Sequence, residues 1–234
     1  MRWLDAHCHL AEAPIFERVE SVLKRAQTHG IHYFLQGGIG PEDWRRQAEL
    51  TARFPGQIFP CYGLHPWWIA EREVQEARAG LVELSSWGRL GVAIGEVGLD
   101  FSAKIDSKTH ALQIELFEAQ LELNHNWQKP LILHVVKAHS EALSVLSNSS
   151  LPNKRGLVHS FSSNAALVSK YVELGFLISV GPGLIKKGFE TLRKAVVSIP
   201  PNHLVIESDA PGQSVPEPAH LIEIAQAVGR LRGE

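Results

Sequence analysis

Pro130-Leu131-Ile132-Leu133-His134 sets three large aliphatic residues in a row and closes on a histidine. A strand with one face in water alternates apolar and polar residues. An unbroken apolar run instead fits a strand covered on both faces, as in a parallel sheet flanked by helices. Comparable segments predict strands over residues 2–7, 32–36, 58–63, 91–96, 131–135, 156–160, 176–180 and 204–208. Between them the pattern turns helical. Ile15, Val19, Val22 and Leu23 share one helical face. Pro41 before Glu42 and Asp43 suits a helix start, where proline's missing N–H is not needed and acids complement the dipole. Leu112, Leu116, Ala119, Leu123 and Trp127 recur at spacings of three and four within 109–127, and Gly175 offers a C′ glycine for a helix over 165–174. A final helix is expected over 218–231. Eight strands alternating with helices predict one α/β domain over residues 1–234, a (β/α)8 TIM-like barrel. The rival is a doubly wound open sheet. The spread of candidate ligands favours the barrel, where the C-terminal ends of all strands share one mouth.

The chain has 234 residues, of which 44% are hydrophobic, enough to bury a core without disulfide support. Cys8 and Cys61 fall in predicted strands and read as buried free thiols, which suits a reducing, cytoplasmic setting. The formal net charge is −2, so no broad basic field draws the chain to nucleic acid. Neither a signal-peptide core nor an apolar run of membrane-spanning length is visible. P-loop, G-x-G-x-x-G and G-x-S-x-G patterns are also missing, which removes the usual signatures of nucleotide binding and serine hydrolysis.

Histidines and carboxylates instead collect at the ends of the predicted strands. His7 and His9 form an H-x-H pair, and residues i and i+2 of an extended segment point to one side. Both rings can therefore reach one ion, with Asp5 on the same side. Glu96 directly follows the apolar Val92-Ala93-Ile94-Gly95, where a carboxylate is costly unless paired or bound to metal. Its two oxygens could bridge two cations. His134 and His159 close the fifth and sixth strands, and two such histidines on successive strands read as ligands. Neutral imidazole suits zinc, manganese, iron or nickel better than magnesium. Asp209 follows the eighth strand and could bind a metal or take a proton from an attacking water. Glu207, two residues deeper, reads as structural. His65, in Gly63-Leu64-His65-Pro66, reads as a substrate contact at the mouth. Trp67 and Trp68 could stack on a base there or simply cover the rim.

Taken together, Asp5-Ala6-His7-Cys8-His9-Leu10, Gly63-Leu64-His65-Pro66, Gly95-Glu96-Val97-Gly98-Leu99-Asp100, Pro130 to His134, His159-Ser160-Phe161 and Glu207-Ser208-Asp209-Ala210-Pro211 resemble the TatD family of metal-dependent deoxyribonucleases. These stretches stand in the family's order and cover nearly the whole chain. The resemblance implies a TIM-like barrel holding two divalent ions (magnesium, manganese or zinc). One would be bound by His7, His9, Glu96 and Asp209, the other by Glu96, His134 and His159. Three departures concern substrate-contacting and rim positions, one being that the basic residue the family often carries soon after its Gly-Leu-Asp motif is met here by Phe101-Ser102-Ala103-Lys104. The family commonly has an arginine two residues after the strand-five histidine, where this chain has Val136, and Lys137 beside it could replace that charge. The family's Asn-Glu-Pro after the last strand appears here as Pro216-Glu217-Pro218.

The expected activity is two-metal hydrolysis of DNA phosphodiesters, with Asp209 and Glu96 as catalytic residues and His65 and Lys137 at the phosphate. The acidic balance points to single-stranded ends rather than long duplex, cut exonucleolytically by a cytoplasmic monomer with no membrane partner. Two alternatives remain open. One is hydrolysis of another ester or amide on the same barrel, including an aminoacyl-tRNA ester. The other is an inactive barrel serving as a binding module.

Overall fold

The structure, a computed structural model, describes residues 2–212 and 215–233, so both ends of the expected domain over 1–234 lie outside the described residues. Among the described residues nine strands follow in chain order: β1 (Trp3–Cys8), β2 (Ile31–Gln36), β3 (Ile58–Phe59), β4 (Cys61–Tyr62), β5 (Ala93–Asp100), β6 (Leu131–Val136), β7 (Gly156–Val158), β8 (Leu177–Val180) and β9 (Leu204–Ile206). Helices alternate with them as the periodicity predicts. The chain forms two compact units, one of Met1–Gln36, Arg46–Phe59 and Val158–Glu234, the other of Gly37–Arg45 and Pro60–Leu157.

In the first unit β1, β2 and β3 lie parallel in that order, with Leu4 opposite Tyr33 and Phe34 opposite Ile58. β8 and β9 form a second parallel pair, with Ile178 opposite Leu204. The helix Val19–Thr28 buries Val19, Val22, Leu23 and Ala26, the i, i+3, i+4, i+7 stripe of an amphipathic helix. That stripe packs with Ile31, Phe34, Leu50 and Ile58 in one apolar cluster. The helix Ala165–Glu173 is capped by Asn164, whose side-chain oxygen accepts from the Leu167 N–H at 3.1 Å, and Gly175 follows it at φ 88° as the sequence predicts.

In the second unit β4, β5 and β6 are parallel in that order. β5 continues four residues beyond its expected end at Glu96. Val97, Gly98, Leu99 and Asp100 stay in register with Leu133, His134, Val135 and Val136 of β6. The glycine-rich sequence looks like a loop because Gly98 has no side chain to pack. A Cβ there would fall on the His134 carbonyl oxygen, and its φ of 136° is closed to most other residues. The expected strand over 58–63 is broken at Pro60, which has no N–H for a ladder. β7 and β9 stop at Val158 and Ile206, so His159 and Asp209 lie just past their strands.

This unit is centred on Trp44, which is fully buried, donates its indole N–H to the Gly63 carbonyl at 3.1 Å and packs on Tyr62 and Trp87. Trp44→Ala would lose both packing and hydrogen bond. The expected destabilisation is about 3–5 kcal/mol, measured by equilibrium denaturation.

Candidate metal centre

Within the first unit the end of β1 meets the segment after β9. The Asp209 N–H donates to the His7 carbonyl at 3.0 Å, and the His9 N–H to the Ala210 carbonyl at 2.7 Å. These bonds set the Asp209 carboxylate among three imidazoles. Its Oδ1 lies 3.6 Å from His9 Nε2 and 3.9 Å from His7 Nε2. The His7 and His159 rings stand 4.2 Å apart, and His7, His159 and Asp209 each offer a ligand atom within 4.8 Å of the others. Burial pushes the Asp209 carboxyl upward, but the His9 hydrogen bond and the charges of His159, His7 and His9 outweigh it and hold it at about 2. Asp209 has φ 51° and Ser160, next to His159, has φ 44°. Left-handed geometry in residues other than glycine costs on the order of 1–3 kcal/mol each and gathers at functional sites.

Behind these groups lie two more carboxylates. Asp5 is fully buried and accepts from the Ser208 N–H at 2.8 Å and the Ser208 hydroxyl at 2.5 Å. Burial raises its carboxyl to about 7 despite those bonds. Glu207 Oε1 accepts from the Ser160 N–H at 2.6 Å and stands 3.4 Å from His159 Nδ1. Glu207 thus turns toward a candidate ligand, a role its depth in the strand had hidden.

The second unit holds its own group: His65, Glu96 and His134, all buried. His65 Nε2 and His134 Nδ1 are 3.1 Å apart, and each lies about as far from Glu96 Oε2, at 3.6 and 3.5 Å. His134 Nε2 faces the other way, 3.1 Å from Asp100 Oδ2. Asp100 also accepts from the Ser102 N–H at 2.8 Å and the Trp67 indole at 2.6 Å. Burial raises the Asp100 carboxyl, but the bonds from His134, Ser102 and Trp67 win and hold it well below the usual carboxylate range. A charged acceptor on Nε2 places the His134 proton there and leaves Nδ1 for a metal.

The spacings fit a metal. Two nitrogens bound to one zinc at about 2.0–2.1 Å in tetrahedral geometry stand about 3.3 Å apart. His7 Nε2 and His9 Nε2 are 3.2 Å apart, and the His65, Glu96 and His134 atoms form a triangle of 3.1, 3.5 and 3.6 Å. The structure therefore gathers His7, His9, His159 and Asp209 in one unit, and Glu96, His134 and His65 in the other. His65 sits closer to the ligands than a purely rim position would require. Lys137 is exposed, at φ 56°, directly after β6, and its charge lowers the pKa of His139 after burial has done most of that work. Cys8 and Cys61 are buried thiols outside any disulfide, as expected, and the Cys8 thiol donates to the Leu35 carbonyl at 3.6 Å. Asp100 stands in a stretch that carries the family resemblance but received no role there, although it is an acid closing an apolar run.

Residues 4–234 match the family described as TatD related DNase. An uncharacterized metal-dependent hydrolase of Haemophilus influenzae is 26% identical over 245 residues, covering 100% of this chain and 93% of that protein. The Escherichia coli metal-dependent hydrolase YjjV is 28% identical over 210 residues, or 90% of this chain and 80% of YjjV. The crystal structure of YjjV, a TatD homolog, superposes with a TM-score of 0.90 at 26% identity, covering 100% of this chain and 91% of that one. A yeast amidohydrolase structure superposes at 0.84 with 19% identity, covering 100% and 95%. The fold is the α/β, TIM-like (β/α)8 type expected from the sequence. Asp100→Asn keeps the shape but removes the charge that orients His134. It is expected to weaken metal binding by about 10–100-fold, measured by calorimetric titration of metal-free protein.

Proposed function

This chain belongs to the TatD related DNase family, and on that premise we propose that it hydrolyses phosphodiester bonds of DNA at single-stranded ends with two divalent ions. The observation that carries the reading is the pair of histidine–carboxylate groups at ligand spacing. On the family resemblance one ion would be held by His7, His9, Glu96 and Asp209 and the other by Glu96, His134 and His159, while His65, which lies at ligand spacing from Glu96 and His134, is assigned to substrate instead. Its relatives are metal-dependent hydrolases, and imidazole with carboxylate suits zinc or manganese. When bound, such ions supply Lewis acidity toward the phosphoryl oxygens and lower the pKa of a water.

The side chains do the rest. Asp209, placed among the imidazoles of His7, His9 and His159, is the group we assign to orient a water and accept its proton. His65 accepts the Trp67 N–H on Nδ1 at 3.0 Å. A neutral ring then carries its proton on Nε2 and donates from there. We assign His65 to a phosphate oxygen rather than to a metal, in exchange for its contact with His134 Nδ1 at 3.1 Å. We assign Lys137, exposed directly after β6, as a second phosphate contact in place of the family's arginine, whose position Val136 holds. Among the described residues no helix is long and apolar enough to cross a membrane.

Val136 favours one competing reading, because a half-buried valine cannot bind a phosphate. Under it the same centre would cut a different ester or an amide. Nucleotide release from single-stranded DNA, with magnesium, manganese or zinc, decides between them. Asp209→Ala is expected to lower that release by at least about 100-fold while some metal remains bound. Cleavage by Asp209→Ala at the parent rate would remove the base assignment. Hydrolysis of ester or lactone substrates by metal-loaded protein that leaves DNA intact would favour the competing reading.

A further inference from the structure

Two adjacent tryptophans have opposite surroundings. Trp68 is 6% exposed, lies against Gly40 and Gly80, and bonds Glu42 at 3.3 Å, so it belongs to the core. Trp67 is 45% exposed, although it sits directly beside the buried group of His65, Glu96 and His134. Its ring centroid is 5.2 Å from the His65 ring and 5.9 Å from the His134 ring, at angles of 71° and 70°. It is also fixed. The indole N–H donates to Asp100 at 2.6 Å, its backbone N–H donates to His65 Nδ1, and Pro66 starts the short helix that carries it.

With its only polar side-chain atom satisfied inward, the side-chain surface that Trp67 shows to solvent is aromatic. An exposed indole is normally a mobile side chain whose burial would be favourable. Here a buried carboxylate holds it in place at the edge of the candidate centre. A rigid aromatic surface loses little conformational freedom when a flat partner lands on it. The flat partner a phosphodiester brings with it is a nucleobase, and every base has a π-face to stack, whatever its sequence. A base within a duplex has both faces taken by its neighbours, whereas an unpaired base has one to offer.

We propose that Trp67 is the stacking platform for an unpaired nucleobase next to the scissile phosphate, and so determines the preference of the site for single-stranded ends. This deepens the DNA reading and rests on it. Because Asp100 joins Trp67 to His134, the clamp that sets the platform also sets a candidate ligand, which ties base position to the reacting phosphate.

The experiment compares a single-stranded oligonucleotide with the same strand carrying an abasic tetrahydrofuran residue at its terminal positions. Cleavage is followed for the metal-loaded parent, Trp67→Phe and Trp67→Ala, and binding is measured by anisotropy in EDTA, where no cleavage occurs. Stacking contributions to single-strand binding correspond to roughly 5- to 150-fold in affinity per base. A preference of that order for the base-bearing strand is expected in the parent. It should persist in Trp67→Phe and disappear in Trp67→Ala. Metal content of each variant shows whether the centre has survived. A parent that treats both strands alike overturns the platform while leaving the nuclease reading intact. So does a Trp67→Ala protein that slows on both strands equally, since the ring would then serve only to hold Asp100. A metal-loaded parent that cuts neither strand removes the nuclease reading and the platform together.

Discussion

A carboxylate taken out of water must be compensated where it lands, because the uncompensated penalty is several kcal/mol per ion. Glu96, Asp100, Asp5 and Glu207 are all buried, and so are His7, His65, His134 and His159. Much of the local structure follows from meeting that requirement. Asp100 receives His134, Ser102 and Trp67. Asp5 receives the backbone and hydroxyl of Ser208, which fixes the segment leading into Asp209. Glu96 looks onto two imidazoles whose facing nitrogens stand at ligand spacing. A cation at such a place compensates the carboxylate more strongly than neutral rings can.

The histidines of the two groups are also aimed by acids. His134 has Asp100 behind Nε2, and His159 has Glu207 near Nδ1. Opposite ring nitrogens are thereby turned to the two acids, leaving Nδ1 of the first and Nε2 of the second for other partners. A histidine free to rotate would pay in entropy for each binding event, so the acids pre-organise the site. The left-handed backbone at Lys137, Ser160 and Asp209, each at or next to a strand-end position of the site, marks where the chain turns sharply to present these groups.

The strand-end histidines were legible because their signal is local. An apolar run followed by His134 or His159, or the i, i+2 pair His7 and His9, needs no knowledge of distant residues. Glu96 and Asp209 were legible for the same reason, even though β5 extends past the one and β9 stops short of the other. What the sequence could not reveal depends on register. Asp100 meets His134 only because β5 carries on through Gly98 beside β6. The approach of Glu207 to Ser160 joins residues 47 positions apart. The contrast between Trp67 and Trp68 likewise depends on which side of one short helix faces Gly40 and Gly80. The break at Pro60 follows from a missing N–H, but the apolar residues on both sides of it read as one strand.

The most direct test of a two-ion centre sharing Glu96 is electron paramagnetic resonance of the protein loaded with manganese, together with its metal content. Two manganese ions per chain with the spectrum of a spin-coupled pair are predicted, and Glu96→Gln should uncouple or lose them. One ion per chain, or two with the spectra of isolated ions in the parent protein, would contradict it.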